Sequence, residues 1–91
     1  MNNTFTGKRA VITGGSRGIG CAIARAFLLA EAEVVLIARN KKELSKAQKE
    51  LSPLGRVGTY TLDVSDASAV EQCAQTLAED GKPVDILINA A

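Results

Sequence analysis

Four glycines stand close together near the amino end of the chain, within the segment Thr-Gly-Gly-Ser-Arg-Gly-Ile-Gly at 13–20. Glycine adopts backbone conformations that a Cβ forbids, and it lets the backbone approach a bound group closely. Where such a segment leads from a buried strand into a helix, the free N–H groups of the first helical turn can bind a phosphate group. We therefore expect a phosphate-bearing ligand, with Gly14 forming the tight turn, Gly18 lying against the phosphates and Gly20 packing closely on the strand.

The spacing of these glycines is G-x-x-x-G-x-G, which differs from the general dinucleotide pattern G-x-G-x-x-G. A P-loop is excluded because no Gly-Lys-Ser/Thr sequence follows. The alternative is a glycine-rich turn that only connects a strand to a helix. The elements on either side of the turn therefore matter more than the pattern itself.

Strands and helices are predicted to alternate along the chain, in the order β-α-β-α-β-α-β. Short apolar runs rich in β-branched residues indicate buried parallel strands, and apolar residues at helical spacing indicate the helices between them. The first helix is predicted at about 18–30. The predicted strands span 9–13, 34–38, 57–62 and 84–88.

Each predicted helix has a start signal or an apolar stripe. Asn40, with Glu43 three residues later, indicates the N-cap of the second helix, which ends near Pro53 and Gly55. Ser65 is the predicted cap of the third helix. The predicted inner faces are Ile19, Ala22, Ile23, Ala26, Phe27 and Ala30 in the first helix, Leu44, Ala47 and Leu51 in the second, and Val70, Cys73 and Leu77 in the third.

Strictly alternating strands and helices imply a parallel sheet with right-handed crossovers. The expected fold class is α/β, a Rossmann-type doubly wound sheet of order 3-2-1-4, with the first two helices on one face and the third on the other. The fourth strand is an edge, although its residues at 86–88 are apolar on both faces. We expect one incomplete domain over 1–91, truncated after the fourth strand. At Glu31 a glycine would adopt a left-handed conformation at a saving of about 1 kcal/mol.

The composition is 46% hydrophobic and 23% charged with a net charge of +1, which fits a soluble globular chain. No long block of like charge occurs, so we expect no nucleic acid partner. No apolar run approaches the roughly 18 residues that a membrane span requires, and the amino terminus lacks a signal-peptide core. We therefore expect no membrane partner and a cytoplasmic location. Cys21 and Cys73 are predicted to be small buried side chains in a reducing compartment.

Three motifs in register resemble the short-chain dehydrogenase/reductase family: Thr-Gly-x-x-x-Gly-Ile-Gly at 13–20, Leu-Asp-Val at 62–64 and Ile-Asn-Ala-Ala at 88–91. The resemblance implies the cofactor-binding half of an oxidoreductase that transfers hydride between a nicotinamide dinucleotide and a carbonyl or alcohol substrate. It also implies a homo-oligomeric parent protein. The glycine turn resembles the 3-oxoacyl-carrier-protein reductase and carbonyl reductase branch, which points to ketone or 3-oxoacyl substrates.

The resemblance implies roles for individual residues of a cofactor site. The Asp63 carboxylate would accept a hydrogen bond from the adenine amino group, and the Val64 backbone would meet the ring edge. The alternative is that Asp63 caps the next helix. Asn89 would close the floor of the site, where Ala90 replaces the second Asn of the family's Asn-Asn-Ala-Gly motif. The expected cofactor-binding residues are Gly14, Ser16, Arg17, Gly18, Ile19, Gly20, Arg39, Asp63, Val64, Asn89, Ala90 and Ala91.

The end of the second strand distinguishes NADP from NAD. An acidic residue there would bind the 2′- and 3′-hydroxyls of NAD, but the position holds Ala38, followed by Arg39. The Arg39 guanidinium can form charge-assisted hydrogen bonds to a 2′-phosphate, and Arg17 can reach it from the other side. Asn40 and Lys41 could assist, unless Asn40 is occupied as the cap. The expected cofactor is NADP (NADPH), with NAD less favoured; the alternative for each arginine is a solvated surface charge.

No catalytic residue is expected within the chain. In the family a Tyr acts as general acid/base, a Lys four residues on lowers its pKa, and a Ser positions the substrate carbonyl. Tyr60 is the single tyrosine and position 64 holds Val64, so Tyr60 is predicted to be a packing residue. The chain has no histidine, and no metal-ligand cluster is expected. The alternative function is that of a truncated nucleotide-binding or non-catalytic fragment without turnover.

Overall fold

A computed structural model of the chain describes residues 5–14, 18–63, 65–79, 81 and 83–90. Its elements in chain order are β1 (Arg9–Thr13), α1 (Gly18–Leu29), β2 (Glu33–Ala38), α2 (Lys41–Leu51), a short 3-10 turn (Ser52–Leu54), β3 (Val57–Thr61), α3 (Ala67–Ala78) and β4 (Ile86–Asn89). Within these residues the strands form one four-stranded parallel sheet of order β3-β2-β1-β4. The predicted fold class, alternation and strand order are confirmed.

Two apolar cores lie on the two faces of the sheet, because successive side chains of a strand point to opposite faces. The first core joins the sheet to α1 and α2 and contains Ile12, Ala24, Leu28, Val34, Leu36, Leu44, Ala47 and Leu51. The second joins the sheet to α3 and contains Val11, Val35, Ile37, Cys73 and Leu77. The first two helices therefore cover one face and the third covers the other, as predicted.

The predicted inner face of α1 is confirmed in part, because Ile23 and Phe27 pack against the first core and Ala30 is buried. The other three predicted members are wrong. Ile19 is 75% exposed, and Ala22 and Ala26 are also exposed. Gly20 and Ala24, the smallest residues of the buried face, allow α1 to lie close to the sheet. Because both are small, the spacing of large apolar residues does not indicate this face. The buried residues of α1 are Gly20, Ala24 and Leu28.

The second and third helices begin with side-chain caps. Asn40 caps α2 as predicted, because its Oδ1 accepts a hydrogen bond from the Glu43 N–H at 3.0 Å. α3 is capped by Asp66, whose Oδ1 accepts from the Ala69 N–H at 3.2 Å. The prediction that Ser65 is this cap is therefore wrong: Ser65 lies one residue too early, and its hydroxyl bonds elsewhere.

β4 begins at Ile86, two residues later than predicted, and Asp85 directly before it is bonded to β1. The Asp85 N–H donates to the Arg9 carbonyl oxygen at 3.0 Å, and the Asp85 carboxylate accepts from the Arg9 N–H at 2.9 Å. β4 is an edge of the described sheet, and Leu87, the register partner of Val11, is 69% exposed.

Arg9 is buried at the amino edge of the sheet, with only 4% of the residue exposed, and it links β1 to β2 and α3. Its Nε contacts Glu33 Oε2 at 3.2 Å, and its Nη1 donates to the Leu77 carbonyl oxygen at 3.0 Å. Because a buried cation needs such partners, this network ties β1 to β2 and to the end of α3.

Glu31 has a φ of 70°, the left-handed conformation that favours glycine. The Thr6 hydroxyl donates to Glu31 Oε2 at 2.9 Å, which offsets part of the backbone strain. In the described part of the chain, no helix combines the length and apolar character needed to cross a membrane.

Candidate functional site

The carboxyl ends of the four parallel strands lie along one edge of the sheet. In open α/β sheets ligands bind outside this edge, at the point where the chain switches from one side of the first strand to the other. Here the switch lies between β1 and β4, because the chain extends the sheet through β2 to β3 and then returns to the other side of β1. The ends of β1 and β4 are therefore the centre of the candidate site.

The two described ends of the glycine turn after β1, Gly14 and Gly18, have the backbone conformations that glycine allows. Gly14 has a φ of 74°, and its N–H donates to the Ile37 carbonyl oxygen at 2.7 Å, which holds the turn against β2. Gly18 has a φ of 61°, and a Cβ built there would meet no atom within 4 Å. The space in front of Gly18 is thus open, as close approach of a ligand requires. Ser16 and Arg17 lie outside the described residues.

The amino terminus of α1 fits an anion. The helix begins at Gly18, and its first turn contains no acidic side chain. The first N–H groups of a helix have no partner within it and form the positive end of its dipole. Ile19 is exposed and Gly20 is buried, so the helix presents its first turn at the surface while it remains close to the sheet. A phosphate group at this position could accept hydrogen bonds from these N–H groups without repulsion from an acidic side chain in the first turn.

Asn89 at the end of β4 is oriented by Thr13 at the end of β1. The Thr13 hydroxyl donates to Asn89 Oδ1 at 3.1 Å, and the Ala90 N–H donates to the Thr13 carbonyl oxygen at 3.0 Å. These two hydrogen bonds join the ends of β1 and β4 at the switch point. Thr13 is not among the predicted site residues, although a hydroxyl side chain directly before the glycine turn could have indicated a role in positioning Asn89.

Arg39 stands at the end of β2, where an NAD-binding protein would carry a carboxylate. Its side chain is exposed, and it has no hydrogen-bond or ion-pair partner among the described residues. Ala38, directly before it, packs against the first core. The Asn40 Oδ1 is occupied, because it accepts the hydrogen bond that caps α2.

Asp63 follows β3 and is exposed. Its Oδ1 accepts two hydrogen bonds from Ser65, one from the hydroxyl at 2.7 Å and one from the N–H at 2.9 Å. The side-chain and then the backbone hydrogen bond from Ser65 lower the pKa of Asp63 below its ordinary value, with a smaller contribution from the charge of Arg39. Asp63 is therefore an ionised acceptor at neutral pH. Its side chain does not cap α3, since Asp66 does so; Val64 lies outside the described residues.

The structure places the predicted site residues in two neighbouring groups. The first surrounds the switch point and contains Gly14, Gly18, Ile19, Gly20, Asn89 and Ala90; the second contains Arg39 and Asp63 at the ends of β2 and β3. With strands about 4.8 Å apart, the edge from β3 to β4 spans about 14 Å, which suits an extended ligand. Ala91 lies outside the described residues.

The described residues contain no group of three or more His, Cys, Asp or Glu side chains that could hold a metal ion. Tyr60 is partly buried against the second core, as its predicted packing role requires. The edge offers an exposed helix amino terminus, a cation and an ionised acceptor. These are groups that bind and orient a nucleotide.

A model of the short chain dehydrogenase family matches residues 8–91. Over 89 residues the chain is 40% identical to gluconate 5-dehydrogenase of Gluconobacter oxydans, a match that covers 97% of this chain and 35% of that protein. Over 92 residues it is 36% identical to 3-oxoacyl-[acyl-carrier-protein] reductase FabG of Chlamydia pneumoniae, covering 100% of this chain and 37% of that protein.

A solved structure of L-sorbose reductase from Gluconobacter frateurii, complexed with NADPH and L-sorbose, has the same fold with a TM-score of 0.90 and 36% identity. That match covers 100% of this chain and 35% of the reductase. The chain thus spans about a third of the length of these relatives. The matched residues include all three motifs of the carboxyl edge. The chain belongs to the short-chain dehydrogenase family.

Proposed function

We propose that the chain is the cofactor-binding part of an NADP-dependent oxidoreductase, which transfers hydride between NADP(H) and a carbonyl or alcohol substrate. The observation that carries this proposal is Arg39, an exposed cation at the end of β2 that has no hydrogen-bond or ion-pair partner among the described residues, with Ala38 in place of a carboxylate directly before it. A guanidinium at this position binds a 2′-phosphate with charge-assisted hydrogen bonds. The similarity to the L-sorbose reductase that was solved with NADPH supports the same cofactor here.

The residues of the proposed site bind different parts of the cofactor. The α1 terminus at Gly18 binds the pyrophosphate. The motif assigns Ser16 to the cofactor as well and Arg17 to the 2′-phosphate, although both lie outside the described residues. Arg39 binds the 2′-phosphate, and Asp63 accepts a hydrogen bond from the adenine amino group. Asn89 closes the floor of the nucleotide site, and Ala90 and Ala91 are assigned to the cofactor with it. Bound NADP(H) supplies or receives the hydride, and the residues of this chain hold the cofactor in place.

The acid/base group of the reaction is proposed to lie outside residues 1–91. Tyr60 packs against the second core, and Val64 occupies the position where the family pattern would require a lysine. The chain therefore contributes binding and orientation, and the remaining part of a longer oxidoreductase contributes proton transfer. The parent enzyme is proposed to be a cytoplasmic homo-oligomer. A nucleotide-binding protein without turnover is the second candidate, and this placement of Tyr60 is the observation that favours it.

The test is Arg39→Ala, with the dissociation constants of NADPH and NADH measured by calorimetry. Loss of charge-assisted hydrogen bonds of about 1.5–3 kcal/mol predicts NADPH binding weaker by about 10- to 100-fold. NADH lacks the 2′-phosphate, so its affinity should change less than about twofold. Arg56→Ala is the matched control, because Arg56 is exposed at the opposite edge of the sheet. Equal losses for NADPH and NADH would contradict the proposal.

A further inference from the structure

The Asp63 carboxylate is held from one side only. Both hydrogen bonds from Ser65 fall on Oδ1, and in the described part of the chain Oδ2 accepts none. The carboxylate therefore has one oxygen fixed by the protein and one oxygen open for a further donor. A ligand amino group that lies beside the end of β3 would meet this open oxygen.

Fixing the carboxylate in advance favours binding. Asp63 is exposed, so without a partner its side chain would sample several rotamers and would lose that freedom when a ligand bound. The two hydrogen bonds from Ser65 restrict the rotamer before the ligand arrives, which removes part of the ordering cost. The same bonds keep the pKa of Asp63 low, so the open oxygen remains an acceptor.

We propose that Ser65 is a positioning residue for base recognition: its N–H and hydroxyl hold Oδ1 of Asp63 so that Oδ2 accepts a hydrogen bond from the adenine 6-amino group. This inference rests on the proposed cofactor site and extends it to the choice of base. The chemical class selected is an adenine dinucleotide over a hypoxanthine dinucleotide. Hypoxanthine carries a carbonyl oxygen in place of the amino group, and that oxygen would face a carboxylate oxygen with no proton between them.

The local fold does not depend on the Ser65 hydroxyl. The Asp66 N–H donates to the Asp63 carbonyl oxygen at 3.0 Å, and the Asp66 side chain caps α3 through the Ala69 N–H. Both bonds remain in Ser65→Ala, as does the hydrogen bond from the Ser65 backbone N–H to Oδ1. Removal of the hydroxyl therefore loosens the carboxylate and leaves the turn in place.

The experiment compares the affinities of NADPH and of its hypoxanthine analogue by calorimetry. The wild type should prefer NADPH, since a hydrogen bond to a charged group corresponds to about a 10- to 100-fold difference. Ser65→Ala should reduce this preference about threefold to tenfold, through weaker binding of NADPH. Binding of the hypoxanthine analogue should change less than about twofold.

Three variants separate positioning from a structural role. Ser65→Thr keeps the hydroxyl and should restore the wild-type preference. Ser68→Ala, which removes an exposed hydroxyl with no hydrogen bond in the described structure, should leave the preference unchanged. In the Asp63→Asn background, Ser65→Ala should have no further effect on the preference, because Ser65 acts through the Asp63 carboxylate.

Equal losses for the two dinucleotides, or an unchanged preference in Ser65→Ala, would overturn this inference. If NADPH binding depends on Arg39 while Ser65→Ala leaves the preference unchanged, the inference fails and the proposed function stands. If the wild type binds neither dinucleotide, both fail together.

Discussion

The two edges of the sheet are built differently. At the amino edge the polar groups bind one another: Arg9 is buried and bonds to Glu33, to Asp85 and to the end of α3. At the carboxyl edge two charged side chains stay open among the described residues: Arg39 has no hydrogen-bond or ion-pair partner, and one oxygen of Asp63 accepts no hydrogen bond. Polar groups that bond to one another stabilise the fold, whereas polar groups without such bonds are available to a ligand.

The size of a cleft does not identify the site. A cleft of about 680 Å³ lies at the amino edge, on the side away from the glycine turn. Its charged lining residues in the described chain balance in sign, and Arg9 and Glu33 already bind each other. These residues are Lys8, Arg9, Arg56, Glu31, Glu33 and Asp85. The carboxyl edge has the helix terminus and the open polar groups, so the chemistry of the lining residues identifies it as the candidate site.

The largest effect should come from Arg9→Ala at the amino edge. Removal of the guanidinium leaves the Glu33 carboxylate and the Leu77 carbonyl oxygen without this partner, at a cost of about 3 kcal/mol in the free energy of unfolding. Urea denaturation measures the loss. Lys8→Ala, at an exposed neighbour, should change stability by less than about 0.5 kcal/mol. Similar losses in both variants would show that the buried network does not stabilise the fold.

Gly18→Ala tests the role of the glycine turn at the carboxyl edge. A Cβ at φ 61° costs about 1 kcal/mol of stability, and it projects into the open space where the phosphates bind. Loss of one phosphate hydrogen bond predicts about tenfold weaker NADPH binding. Calorimetry measures the affinity and urea denaturation measures the stability.

The matched control is Gly58→Ala in β3, where a Cβ would meet Val35 Cγ2 at an ordinary 3.7 Å. That variant should bind NADPH like the wild type. If Gly18→Ala also retained full affinity, the glycine turn would not be the phosphate site.

How much of the molecule is predictable depends on the sequence distance of the partners. The strands and their order follow from local apolar runs and from the alternation of elements, and the cap at Asn40 needs only a residue three positions away. The Arg9 network and the Thr13–Asn89 bond join residues 24 to 76 positions apart, so no local pattern reveals them.

Two further differences between prediction and structure concern the small residues on the buried face of α1 and the two candidate caps of α3. The buried face of α1 consists partly of Gly20 and Ala24, and small residues give a weak periodic signal. Ser65 and Asp66 are both good caps, and the choice between them follows from the bond that Ser65 makes to Asp63. The site residues could be proposed from the motifs, but the open oxygen of Asp63 became visible only in the folded chain.

The smallest effect should come from Glu31→Gly. Glycine removes the strain of φ 70° but also loses the bond from Thr6, so the net gain in the free energy of unfolding should be about 0.5 kcal/mol. Thermal unfolding detects this as a raised Tm. Glu71→Gly, the same change in the exposed middle of α3, should lower stability by about 1 kcal/mol. A lower Tm for Glu31→Gly would mean that the Thr6 bond outweighs the strain.

The most direct test is a titration of the protein with NADPH, followed through the backbone amide signals in NMR. The signals of the carboxyl edge should shift, at Gly14, Gly18 and Asn89. Signals of the amino edge, at Lys8 and Glu33, should stay in place. Shifts concentrated at the amino edge, or no shift at NADPH concentrations that saturate related reductases, would contradict the assignment of the carboxyl edge as the cofactor site.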